Sequence, residues 1–124
     1  MKVSRIISIM IPIILLIILG LFSIGASPVF YTNQWLDTNA MMTMGRAIHE
    51  GVLPFRDIID QRGPVLYGIY ALAAFISSTN FFGLFILEVI NVLLVYFITF
   101  NMARHLKIGY LKPEWLGLIG PAAL

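Results

Sequence analysis

From residue 6 to residue 36 this chain of 124 residues carries no charged side chain, and from residue 64 to 103 it carries only Glu88. Runs of that length constrain the fold more than any short motif does. In lipid, backbone amides and carbonyls have to be satisfied within their own segment, so an apolar run that meets the bilayer has to be helical. The whole chain is 60% apolar and 11% charged, with a mean hydropathy of +0.94. That balance belongs to integral membrane proteins, since a soluble domain of this size needs far more polar surface. The expected class is therefore an all-α integral membrane protein. It has two full transmembrane helices, an exoplasmic loop with amphipathic juxtamembrane helices, and the start of a third span.

Residues 6–25 form the expected first span, preceded by Lys2 and Arg5. Basic residues favour the cytoplasmic side, which puts residue 26 outside. A cleavable signal peptide is the other reading, with small residues at Ile24-Gly25-Ala26. The apolar core is longer than the 7–15 residues of a signal h-region, which favours an uncleaved anchor. Residues 81–103 are the second full-length run, and Arg104, His105, Lys107 and Lys112 follow it, arguing for a cytoplasmic exit. Residues 64–78 are too few to cross, and Pro64 suits the first turn of a helix. An interfacial or re-entrant helix at the outer leaflet agrees with both length and charge; a short tilted span with inverted downstream topology is the alternative. After the cytoplasmic loop 104–114, a further apolar run at 115–124 reads as a span cut short, the mark of an N-terminal part of a longer polytopic protein.

Seven of the fourteen charged residues fall in the segment 26–63, so the chemistry is expected there, beside the membrane and outside the cell. A formal charge of +2 without a basic stripe excludes nucleic acid as a partner. The absence of cysteine excludes disulfides, thiol catalysis and cysteine-ligated metals. No phosphate-cradling glycine loop, zinc-protease helix or nucleophile elbow is present.

Within the loop, Thr38 to Glu50 has helical periodicity. Leu36, Ala40, Met41, Met44, Ala47 and Ile48 share one arc, and Asn39, Thr43, Arg46 and Glu50 another. Gly51 is a fitting stop, and Pro54 discourages continuation. Such a helix is expected to lie on the membrane, methionines down; these residues are lipid or core contacts rather than a cofactor site. Asp37 is the natural N-cap, and it is also a carboxylate at the bilayer surface able to act as a general base. Downstream, Arg56, Asp57, Asp60, Gln61 and Arg62 put five polar groups in seven positions. Arginine suits phosphate because its planar fork donates two hydrogen bonds at once. Internal pairing is the plainer role for this cluster, Arg56 with Asp60 or Asp57 with Arg62, and exposed pairs contribute little. No cofactor is expected: a divalent cation on Glu50, Asp57 or Asp60 is conceivable, but no ligand spacing supports it. Glu88, costly inside a span, is expected to pair within a helix bundle, with Asn91 one turn on.

The pieces Trp35-Leu36-Asp37, Gly45-Arg46-Ala47-Ile48-His49-Glu50-Gly51, Pro54-Phe55-Arg56-Asp57 and Gln61-Arg62-Gly63-Pro64-Val65-Leu66-Tyr67 together resemble one family over roughly residues 1–110. They are similar to the N-terminal part of the polyprenyl-phosphate-sugar-dependent membrane glycosyltransferases of GT-C fold. That group includes the dolichyl-phosphate-mannose-protein mannosyltransferases and the aminoarabinose transferases. The resemblance implies that Asp37 is the catalytic base, activating an acceptor hydroxyl or amine. It implies that Arg62 stabilises the departing polyprenyl phosphate, with Arg46, Arg56 and Asp57 as further candidates for substrate binding. The implied partners are a polyprenyl-phosphate-linked sugar, a cell-envelope glycan, lipid or protein acceptor, and membrane lipids. The implied location is the cell membrane, multi-pass, with the loop 26–63 extracytoplasmic. A small non-enzymatic membrane protein, such as a flippase partner or an assembly scaffold, is the competing reading.

Overall fold

The apolar run that opens the chain becomes a single helix, α1 (Lys2–Ser23), with Pro12 inside it. The computed structural model describes residues 2–30, 33, 35–59, 61–106 and 112–123. All regular elements among them are helices: α2 (Leu36–His49), α3 (Pro64–Ile76), α4 (Phe82–Leu106), α5 (Pro113–Leu116) and α6 (Ile119–Ala122). One of them, α4, is long and apolar enough to cross a membrane by length and composition. Within α1, the apolar stretch Ile9–Ser23 is shorter than that criterion. The chain divides into two compact units, one of Phe22–Leu87 and one of Met1–Leu21 with Glu88–Leu124.

In the second of these, α1 exposes Ile6, Ile7, Met10, Ile11, Ile14, Leu15, Ile17, Ile18 and Leu19, while Pro12 and Leu16 are buried one turn apart. A helix that is apolar nearly all round suits a lipid or a larger protein interior, not water. The apolar run expected over 115–124 turns into α5 and α6, which meet α4 through two glycines. A Cβ at Gly117 would come 2.8 Å from the ring of Tyr96, and one at Gly120 would collide with the hydroxyl of Thr99. Small residues spaced one turn apart let two backbones approach, as in membrane helix pairs. Tyr96 is buried there, its ring stacked on Phe100 at 6.3 Å. Thr99 donates its hydroxyl proton to the carbonyl of Val95. Glu88, expected to pair within a helix bundle, has its Oε2 buried without a hydrogen-bond partner among the described residues. Lys107 lies outside the described residues.

The other unit holds α2, α3 and the loops. The helix expected to begin at Thr38 starts two residues earlier, at Leu36, so Asp37 is not its N-cap. Trp35 takes that position and offers no side-chain bond. The turn is closed instead by two asparagines. Asn33 Oδ1 accepts from the Trp35 amide at 2.9 Å, and the Asn39 amide donates to the carbonyls of Asn33 and Trp35, both at 2.9 Å. Asp37 falls in the first turn, where a negative charge interacts favourably with the helix dipole. At the other end the chain forms a Schellman turn, with Gly51 N–H bonded to Ile48 O and Val52 N–H to Ala47 O. Gly51 sits at φ +93°, so Gly51→Ala is expected to destabilise this unit by about 1–2 kcal/mol in thermal unfolding, the cost of a Cβ in a left-handed conformation.

The methionine face is not turned to a membrane surface. Met41 and Met44 are buried against Tyr67 of α3, with Ile48, Leu66 and Tyr70 packed around them. The contacts ascend together along both helices. Gly45 lies against the carbonyl of Tyr70, and His49 Nε2 donates to Ala71 O at 2.8 Å, since a carbonyl can only accept. The two helices are therefore side by side and parallel, with their N-termini at one end. They are 14 and 13 residues long, about 20 Å each at 1.5 Å per residue, short of the ~30 Å hydrocarbon core. The segment 50–63 carries the chain back from the end of α2 to the start of α3. From α3 the chain turns at Ser77 and Asn80 into α4, where Gly83 seats on the carbonyl of Ala73.

Candidate active site at the paired helix ends

Parallel packing of α2 and α3 has a chemical consequence. It brings the first turn of one helix beside the residues that lead into the other. Arg62, immediately before Gly63 and the N1 proline Pro64, reaches across 25 residues of sequence to Asp37: its Nη2 donates to Asp37 Oδ1 at 2.6 Å. The Asp37 side chain is 82% exposed, whereas that of Arg62 is 27% exposed. The guanidinium is held and the carboxylate is open to whatever approaches. Two helix N-termini face the same region, so the backbone adds positive potential to that of Arg62. Three apolar residues close to the pair in sequence are among the most exposed of the described residues: Leu36 at 84%, Ile59 at 94% and Val65 at 76%. Exposed apolar side chains flanking the pair in sequence suit contact with something greasy.

The return segment is locked by its own charges. Arg56 grips Asp57 through both Nε and Nη2 at 2.7 Å, and Asp57 Oδ2 also accepts from the Leu53 amide at 2.8 Å. The Asp57 and Arg56 amides both donate back to Leu53 O, which closes the turn. The Arg56 guanidinium and then the Leu53 amide hold the Asp57 carboxyl below the usual carboxylate range, and Arg56 is raised in return. Phe55 sits at φ +69°, a conformation costing about 1–3 kcal/mol, and its ring meets Tyr67 edge-on at 5.6 Å. That contact pins the middle of the loop to the first turns of α3, the same turns that follow Arg62.

Of the two expected pairings, Asp57 with Arg62 is replaced, and Arg56 with Asp60 falls on a residue outside the described ones. Asp57 bonds to Arg56 rather than Arg62, because adjacent side chains in this tight turn meet at no cost in chain closure. Arg62 is taken by Asp37. Arg46 joins neither pair. It is half-buried on α2, with Nε enclosed and lacking a hydrogen-bond acceptor among the described residues. A buried donor without an acceptor costs about 1–3 kcal/mol, so a ligand acceptor reaching it would gain accordingly. Among the described residues no group of three or more His, Cys, Asp or Glu is placed to hold a metal ion. Asp57 has both oxygens engaged within its own turn. The capping asparagines, Asn33 and Asn39, were not among the expected functional residues. Their spacing around Trp35 was the available signal. No family model, no curated protein and no solved structure matches this chain.

Proposed function

We propose that these residues form the N-terminal part of a membrane glycosyltransferase that moves a sugar from a polyprenyl-phosphate donor to a cell-envelope acceptor on the exoplasmic side. The observation that carries this reading is the 2.6 Å pair of Asp37 and Arg62, an open carboxylate and a held guanidinium with exposed apolar residues close by in sequence. In this reading α1 and α4 cross the bilayer, while α2 and α3, each too short to span it, lie at its outer boundary. The exposed Leu36, Ile59 and Val65 enter the lipid, which brings Arg62 to the level of lipid phosphates.

The chemistry follows from the pair. In the free state each partner occupies the other. The donor phosphate, a singly charged diester that gains a second negative charge as the sugar leaves, competes for Arg62 and frees the Asp37 oxygen. Asp37 then accepts the proton of an acceptor hydroxyl or amine as its oxygen or nitrogen bonds to the anomeric carbon from the face opposite the phosphate. The bond from that carbon to the phosphate oxygen breaks, the electron pair leaves with the polyprenyl phosphate, and the configuration inverts. Arg62 and the two helix N-termini stabilise the charge that develops on the leaving group. Arg46 is a further candidate for the anionic substrate, and the Arg56–Asp57 pair keeps the return loop in shape.

The test is sugar transfer from a polyprenyl-phosphate donor by the full-length protein. Arg62→Ala is expected to lower kcat/KM about 100-fold or more, the scale of losing one charge-stabilising donor. Arg62→Lys is expected to restore only part, since it keeps the charge without the fork. Unchanged kcat/KM in Arg62→Ala removes the phosphate assignment.

A further inference from the structure

A cavity of about 330 Å³ opens in the unit of α2 and α3, away from the ion pair's own residues, and nothing above uses it. It is lined by Gly25, Ala26, Ser27 and Pro28 from the turn after α1, by Phe30 and Asn33, and by Asn80, Phe81 and Phe82 at the start of α4. We infer that this cavity binds one neutral pyranose ring of a glycan substrate.

Three features select that class of ligand. The lining carries no charged side chain, so an ionised group entering it would lose water without gaining a partner. Its polar side chains are the Ser27 hydroxyl, whose oxygen accepts from the Val29 amide at 3.3 Å, and two amides with fixed planes. Asn80 Oδ1 accepts from Ser77 Oγ at 2.6 Å and from the Phe82 amide at 2.9 Å, and Asn33 Oδ1 accepts from the Trp35 amide at 2.9 Å. Those bonds settle which atom of each amide is oxygen, and leave both NH2 groups as donors without an acceptor among the described residues. Fixed donors at the wall of a cavity lined by Phe30, Phe81 and Phe82 match a ring that has hydroxyl acceptors at its edge and C–H groups on its face. The volume lies at the lower end of the ~300–1,000 Å³ of small-ligand sites, enough for one ring and not for a lipid chain. The cavity is also tied to the reacting helix, because the amide of Asn39 in α2 holds the carbonyl of Asn33 at 2.9 Å. The choice of a sugar over other neutral polyols rests on the glycosyl-transfer reading.

Saturation-transfer NMR on the full-length protein in nanodiscs, with methyl glycosides of glucose, galactose and mannose as probes, tests it. At least one glycoside is expected to receive saturation on its ring protons. Asn33→Asp and Asn80→Asp keep the capping oxygens and remove the donors, so each is expected to melt as wild type and bind about tenfold more weakly. Binding of none of the glycosides, or equal binding by both variants and wild type, overturns the inference. Transfer by Asp37→Asn is measured in parallel. If that variant loses transfer but no glycoside binds, only the cavity assignment falls. If glycosides bind as expected while Asp37→Asn transfers normally, the cavity stands and the catalytic role of Asp37 falls.

Discussion

Asp37→Asn in the full-length protein is expected to lower kcat for sugar transfer about 10²–10⁴-fold, the usual contribution of a positioned general base. The substitution is close to isosteric and keeps an oxygen able to accept from Arg62 Nη2, so the geometry at the ends of α2 and α3 should persist. What it removes is the capacity to take a proton. Expression, melting temperature and KM for the lipid donor should therefore change little while turnover collapses. Asp37→Ala serves as the contrast. It also removes the acceptor to which Arg62 Nη2 bonds, so donor affinity should rise or hold even as turnover falls. Transfer at the wild-type rate by Asp37→Asn rules out the proposed base. A fall in turnover accompanied by a lowered melting temperature would instead assign the residue a structural part.

This pair was only half legible in the sequence. Both residues stood out by type and position: Asp37 at the start of a helical period, Arg62 just before Gly63-Pro64. Their contact did not, because it depends on α2 and α3 packing in parallel, and no local pattern carries that information. Periodicity gave the apolar arc of Met41, Met44 and Ile48 but not what covers it. A bilayer surface and a neighbouring helix both satisfy an amphipathic face, and here the neighbour is α3. The capping assignment failed for a similar reason. Asp37 has the right chemistry for an N-cap, but Asn33 and Asn39 already close the turn around Trp35, which lets the helix start earlier. The stop at Gly51 was readable because it needs only one residue with an unusual φ, a local property. Among the charges, spacing suggested Arg56 with Asp60 and Asp57 with Arg62. Asp60 lies outside the described residues, and Asp57 is taken by Arg56 through the turn at Leu53, whose backbone bonds could not be read from side-chain spacing.

The packing that makes the pair depends in turn on a glycine, which leads to the largest expected effect on the fold. Gly45 faces α3 so closely that a Cβ there would overlap the carbonyl group of Tyr70 and come within 3.0 Å of the Ala71 amide nitrogen. Those are backbone atoms in the middle of a helix and cannot swing aside. Gly45→Val must force α2 and α3 apart, at about 1–3 kcal/mol or more for overpacking. It must also loosen the buried contacts of Met41 and Met44 with Tyr67 and the bond from His49 to Ala71. Gly68 is the internal control. It lies within α3, and a Cβ there would meet nothing within 4 Å. Gly68→Ala should therefore be neutral or stabilising by about 0.5–1 kcal/mol through helix propensity alone. Thermal unfolding of the two variants, with limited proteolysis of the segment 52–59 as a local probe, separates these outcomes. Gly45→Val should melt earlier and be cut faster, and it should lose transfer activity with it, because Arg62 reaches Asp37 only while the helices stay in register. If Gly45→Val and Gly68→Ala behave alike, α2 and α3 do not cross at Gly45, and the geometric basis for joining Asp37 to Arg62 goes with it.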